Sequence, residues 1–176
     1  RAWGWRIPFA LGAALAAECA AFGFHLDFAP VLDVWSNPDN TVIGKRAFGS
    51  DWKVVSGFGA AVSNALQAAG VIPVVKHFPG HGDTVVDSHM GLPVVDKSLE
   101  DLSLQELPPF RDLISGGETP SGRAEAVPAV MVAHILMTQL DPDLPASLSP
   151  AVVTDLLRGE LGFGGVVFTD DLTMGA

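Results

Sequence analysis

Residues 71–89 read VIPVVKHFPGHGDTVVDSH. The first five, Val71 to Val75, form an apolar run of strand length and read as a buried strand. Pro79 stops that strand, because its nitrogen has no hydrogen to give a ladder. Gly80 and Gly82 let the backbone turn where a Cβ would clash. From Lys76 to His89 the chain then gathers three histidines, two aspartates and a lysine. Imidazoles and carboxylates crowded onto a loop after a strand are poor material for a core and good material for a site.

Outward from this segment, helices and strands alternate. Pro8 to Ala21 reads as an amphipathic helix with Pro8 at its first position and Gly23 at its stop. Phe24 to Val34 reads as a strand, and Trp35 to Gly49 as a polar loop with Asn-Pro and Asp-Asn turn signals. Asp51 to Ala69 is the next helix, with Ser50 or Asp51 able to cap its start, Val54, Val55, Phe58, Val62, Ala65 and Leu66 at helical spacing and Gly70 at its end. After the strand Val71 to His77, a long loop runs to Lys97. Ser98 and Asp101 form a capping box for a helix that reaches Ile114 and breaks before Pro108-Pro109. Gly116 to Pro128 reads as a flexible polar insertion and Ala129 to Ile135 as a strand. A helix from Ser149-Pro150 to about Leu161 and a strand from Gly165 to Asp170 complete the pattern.

Wholly apolar strands alternating with helices predict an α/β fold with a parallel sheet covered on both faces. Four expected strand ends are polar: Asp33, Lys76-His77, His134 and Asp170. In a (β/α)8 TIM barrel all four would converge on the rim where barrel active sites lie. A doubly wound open sheet produces the same local pattern. No GxGxxG follows a strand, so no dinucleotide cofactor is called for.

Composition sets limits. Of 176 residues, 48% are hydrophobic and 17% charged, ample for a core. Twenty acidic against ten basic residues give a net charge of −10, which argues against nucleic acid as a partner. The lone Cys19, in an Ala-rich helix, excludes an internal disulfide and reads as a small buried hydrophobe. No apolar run reaches the ~18 residues of a membrane span. Arg1 to Phe9 leads into a helix and not into a cleavage site, so the expected compartment is the cytoplasm, although the N-terminus reads as truncated.

Lys76-His77-Phe78-Pro79-Gly80-His81-Gly82 followed by Asp87-Ser88-His89 resembles the signature of the bacterial β-N-acetylhexosaminidases of glycoside hydrolase family 3. Leu156-Leu157-Arg158, Glu160 and Gly165 to Asp170 resemble that family's nucleophile signature, spacing included. Phe28 to Asp33 (FAPVLD) and Ile43 to Gly49 (IGKRAFG) resemble two further blocks, so the likeness runs over nearly the whole chain. Gly116 to Pro128 is its weakest part.

The resemblance implies a retaining glycosidase that removes terminal β-linked N-acetylglucosamine, with peptidoglycan fragments as substrates. Asp170 would be the nucleophile that forms a covalent glycosyl-enzyme intermediate. Adjacent residues of an extended chain point to opposite faces, so Asp171 would aim elsewhere. His89 would protonate the leaving oxygen and later deprotonate water, with Asp87 orienting its ring. Arg46, Lys76 and His77 would contact the sugar, the last two as donors to its hydroxyls. His81, Asp83 and His134 carry no assigned role, and His25 reads as structural. No cofactor or metal is required. A phosphorylase or a β-glucosidase of the same family, a zinc hydrolase using His77, His81, Asp83, Asp87 and His89, and an inactive sugar-binding fragment are the alternatives. Four strands fall short of the eight of a barrel. The chain is therefore expected to be part of the family's N-terminal catalytic barrel domain, open along two strand edges, prone to self-association, and weakly active alone.

Overall fold

The computed structural model describes residues 4–84 and 91–174. The elements follow the chain in this order. Helix α1 (Arg6–Ala21) leads to strand β1 (Leu26–Asp27), a 3-10 turn (Gly44–Arg46), helix α2 (Trp52–Ala68) and strand β2 (Ile72–Phe78). Strand β3 (Val94–Val95), helices α3 (Leu99–Gln105) and α4 (Leu107–Ser115) and the hairpin β4 (Glu118–Thr119) and β5 (Gly122–Arg123) come next. Strands β6 (Ala129–Val132) and β7 (Leu136–Met137), a π-helix (Ala151–Glu160) and strand β8 (Val166–Thr169) complete it.

The main sheet is parallel throughout, in the order β1-β2-β6-β8. Leu26 lies beside Ile72, Val74 beside Ala129, and Ala129 beside Val166. The outer strands β1 and β8 are three intervals apart, about 14 Å in a flat sheet. Yet the rings of Phe28, one residue past β1, and Phe168 in β8 meet edge to face with centroids 5.6 Å apart. The sheet is therefore curled, as barrel strands are and an open doubly wound sheet is not. Among the described residues the four strands do not close a ring, so the fold is α/β, a TIM barrel that is incomplete in this chain. The helix-covered face holds the main core, where Leu32, Val75, Phe78, Leu107, Phe110 and Leu113 are fully buried. Phe78 and Phe110 stack edge to face at 5.3 Å. The inner face is thinner: Val74, Ala129 and Met131, with Leu26 and Phe168 against them.

Several expectations hold in detail. Asp51 caps α2 by accepting from the Lys53 backbone N–H at 2.9 Å, and the Ser98–Asp101 capping box opens α3. The helix break falls at Glu106, just before the two prolines. Others need correction. The strand expected over 24–34 pairs only at Leu26–Asp27, because Pro30 offers the ladder no donor; Val31 rejoins it in a single bridge to Lys76. Helix α1 starts at Arg6, so Pro8 is its third residue, still in the first turn, where its missing N–H has no intrahelical partner to lose. It lacks the expected apolar face: Pro8, Gly12 and Ala16 are buried, while Ile7, Phe9 and Leu11 are exposed. The close approach explains this, since a Cβ on Gly12 would lie 2.8 Å from the Val62 carbonyl oxygen of α2. Cys19 is half-buried rather than buried. The 116–128 insertion is tied down: Asn64 of α2 donates to the Arg123 carbonyl at 3.0 Å and accepts from the Glu125 N–H at 2.9 Å. The loop to Lys97 contains β3, which pairs in parallel with β7. The last helix is π-helical, a widening that residue periodicity does not distinguish. No helix among the described residues is long and apolar enough to cross a membrane.

Candidate active site

Strands β2 and β8, on either side of β6, both end at a cavity of about 230 Å³. Its wall is formed by Val42, Arg46, Lys76, His77, His81, Asp170, Asp171 and Met174. Larger concavities, of about 300 to 470 Å³, carry no imidazole in their walls, and Glu125 in the 470 Å³ one is their single carboxylate. The smaller one concentrates the chemistry.

Each side chain is placed for a traceable reason. Asp170 follows the last residue of β8, and its N–H is fixed to the Val132 carbonyl of β6 at 3.0 Å. Its Oδ1 accepts from the Asp171 N–H at 2.9 Å, leaving Oδ2 toward His77. The chain turns at once after Asp170, with the Met174 N–H donating to the Asp171 carbonyl at 3.2 Å. Strand alternation therefore ends at Thr169, and Asp171 lines the same cavity instead of facing away. Asp171 Oδ1 also accepts from the Thr173 N–H and hydroxyl, both at 2.8 Å.

The 35–49 loop reaches the cavity because buried Asn40 fastens it to the glycine loop. Its Nδ2 donates to the His81 carbonyl at 2.7 Å and to Thr84 Oγ1 at 3.2 Å, and its Oδ1 accepts from the Ile43 N–H at 2.9 Å. The guanidinium of Arg46 is then aimed by two bonds to the Val42 carbonyl, at 3.1 and 2.9 Å. Gly82 packs so tightly beneath this loop that a Cβ would overlap the Val34 carbonyl.

Behind the wall lies Asp33, fully buried. One of its oxygens accepts the backbone N–H groups of His77 (3.3 Å) and His81 (2.6 Å). The other lies 2.6 Å from His77 Nδ1, and His77 Nε2 lies 4.0 Å from Asp170 Oδ2. Burial pushes the Asp33 carboxyl up, but the charge of His77, its hydrogen bond and the His81 contacts outweigh it, and the net result is a lowered pKa. Burial holds the Lys76 ammonium below its usual pKa, reinforced by Arg46 and opposed by Asp170, Asp27 and Asp33. Burial likewise lowers His81, whose Nδ1 is 2.7 Å from Thr84 Oγ1.

Four expected site residues, Arg46, Lys76, His77 and Asp170, thus share one cavity. Asp87 and His89 lie outside the described residues. His134 does not join the cavity wall; its Nδ1 pairs with Ser147 Oγ at 2.7 Å. Asp83 and Lys97 gain a role that was not expected. Lys97 Nζ bridges Asp83 Oδ2 (2.9 Å) and Glu106 Oε1 (2.7 Å), pinning the glycine loop to the α3–α4 junction. Asp33 was legible as a polar strand end, but only the fold puts it behind His77. Among the described residues no group of three or more His, Cys, Asp or Glu side chains is placed to hold a metal ion.

Comparison with known proteins bears on the family and the fold. Residues 9–176 match the glycosyl hydrolase family 3 N-terminal domain. A β-hexosaminidase of Stenotrophomonas maltophilia is 42% identical over 162 residues, which cover 92% of this chain and 45% of that protein. The solved family 3 β-N-acetylglucosaminidase of a Paenibacillus species superposes with a TM-score of 0.89 at 44% identity, covering 97% of this chain and 31% of that one. NagZ of Neisseria gonorrhoeae, in complex with N-trifluoroacetyl-D-glucosamine, gives 0.85 at 38% identity over 98% of this chain and 48% of that one. The chain spans less than half the length of these relatives. By its sequence, its curled parallel sheet and its matched residues, this chain belongs to glycosyl hydrolase family 3.

Proposed function

We propose that the protein carrying this chain is a retaining glycoside hydrolase that removes terminal β-linked N-acetylglucosamine. The observation that carries this reading is the Asp170 carboxylate at the end of β8, opening on a cavity that Lys76, Arg46 and His77 share. A retaining glycosidase needs a carboxylate to attack the sugar carbon. Arg46 and Lys76 supply donors for sugar hydroxyls from one side. His89, with Asp87 as its partner, acts as acid and base, by resemblance to the family motif. The activity of the relatives, named β-hexosaminidases and β-N-acetylglucosaminidases, supports the choice of sugar.

The half-length of the chain bears on how this is tested. Phe28, Ile72 and Val166, at or beside the sheet, remain between 41% and 57% exposed. Such apolar area favours association, so the isolated chain is expected to self-associate and to turn over slowly. Release of an aryl group from the N-acetyl-β-glucosaminide and from the β-glucoside is therefore measured twice. One measurement uses the chain alone, and the other uses the chain joined to the C-terminal remainder of a relative. The joined protein is expected to cleave the N-acetylglucosaminide and to prefer it. An activated fluorosugar is expected to label Asp170. Preference for the glucoside, or labelling of another residue, refutes the proposal.

A further inference from the structure

Asp33 is a carboxylate with no exposure to solvent, and the proposed chemistry gives it no task. Its orientation is locked. Oδ1 accepts two backbone N–H groups, from His77 and His81, so the carboxylate cannot turn without stranding both donors. Oδ2 is thereby held 2.6 Å from His77 Nδ1. An ionised carboxylate can only accept, so a proton must sit on that nitrogen. A ring with one proton then has a lone pair on Nε2. That atom faces the cavity, 4.0 Å from Asp170 Oδ2, too far for a hydrogen bond between them.

We infer that Asp33 is a positioning residue: by accepting a hydrogen bond from Nδ1–H of His77 it leaves Nε2 as an acceptor for a hydroxyl of the bound sugar, beside the Asp170 oxygen that the Asp171 N–H does not engage. Two acceptors 4.0 Å apart on one wall select a ligand that brings its own donors. A carbohydrate hydroxyl does so. The other tautomer would direct an N–H at Asp170 and draw on the lone pair that must attack the sugar carbon. This reverses the donor role that the sequence suggested for His77. The consequence for binding rests on the proposed glycosidase reading; the tautomer itself does not.

The test separates the two. In the full chain labelled with ¹⁵N-histidine, correlations from ring carbon-bound protons to ring nitrogens report which nitrogen carries the proton. They are recorded at a pH that leaves one proton on the ring, with His77 assigned through His77→Gln. The expected result is protonated Nδ1 and bare Nε2. In Asp33→Asn the two backbone donors still claim the oxygen, so the amide nitrogen faces Nδ1 and the proton moves to Nε2. With that switch, fluorosugar labelling of Asp170 in the joined protein should slow by roughly 10- to 100-fold, the scale of one misdirected buried hydrogen bond. A proton on Nε2 in the unsubstituted chain overturns the role of Asp33, whether or not Asp33→Asn folds. A tautomer switch with unchanged labelling overturns the link to sugar binding. Absence of labelling in the unsubstituted joined protein counts against the glycosidase reading alone, and the tautomer measurement still decides Asp33.

Discussion

Replacing Lys97 by Met should destabilise the fold by an amount that depends steeply on pH. Lys97 Nζ lies 2.7 Å from Glu106 Oε1, and the Glu106 side chain is 2% exposed. Among the described residues its other oxygen, Oε2, has no hydrogen-bond partner. Burial pushes the Glu106 pKa up from 4.5, and Lys97 opposes that rise. Without the ammonium, the carboxyl either stays charged and unpaired or takes a proton. The proton sets a ceiling on the loss. Neutralising a group whose unfolded pKa is 4.5 costs about 1.4 kcal/mol per pH unit above that value. The ceiling is therefore about 3.4 kcal/mol at pH 7 and about 0.7 kcal/mol at pH 5. The lost Asp83 contact, between side chains 26% and 32% exposed, adds at most about 1 kcal/mol.

The sign follows from linkage. A carboxyl whose folded pKa exceeds its unfolded value costs stability while ionised, and the cost is relieved as pH falls through the folded pKa. Urea unfolding of the Lys97→Met chain and of the unsubstituted chain at pH 5, 6 and 7 measures this, because urea leaves the charges unscreened. The gap should narrow from about 3–4 kcal/mol at pH 7 to under about 2 kcal/mol at pH 5. Adding Glu106→Gln to Lys97→Met should recover most of the loss at pH 7, since no buried charge then remains. An equal gap at pH 5 and pH 7 would show that Lys97 acts by packing and not through Glu106.

Four further outcomes are expected. Gly82→Ala places a Cβ into the Val34 carbonyl, so the glycine loop must shift; it should cost about 2–4 kcal/mol in urea unfolding and suppress Asp170 labelling, whereas Gly164→Ala, with open space around it, should do neither. Asn40→Ala removes a buried side chain with three hydrogen bonds and should cost about 2–3 kcal/mol, with a weaker affinity for substrate because Arg46 loses its support. Burial lowers the His81 pKa from 6.5, so its neutral form is favoured in the fold; the contribution is present above pH 6.5, falls away as pH drops below it, and His81→Gln should flatten that part of the stability profile. Asp170→Ala should abolish turnover in the joined protein, while Asp171→Asn, exposed and already bonded to Thr173, should reduce it less; equal losses would show that the two carboxylates share the chemistry.

What the sequence made legible was whatever depends on local rules. The Ser98 box, the Asp51 cap and the break before Pro108 are decided within four residues, and each appears as expected. Strand β2 was readable because an apolar run of strand length is bounded by Pro79 and two glycines. The strand over 24–34 was over-read because apolar composition does not reveal which N–H groups find a partner across the sheet, and Pro30 removes one. The same distinction divides the site. Asp170, Lys76 and His77 were legible as polar residues ending apolar strands, and parallel strands bring such ends to one rim. Asp171 was misjudged because alternation holds only while the chain stays extended. Asp33 was seen as one strand end among four, and its role depends on two backbone donors 44 and 48 residues away. Lys97 and Asp83 lie fourteen residues apart on a loop that no period describes, yet they meet at 2.9 Å over a carboxylate delivered by a helix junction. Residues that act through long-range hydrogen bonds leave no spacing to read, and Asp33 and Lys97 are both of that kind.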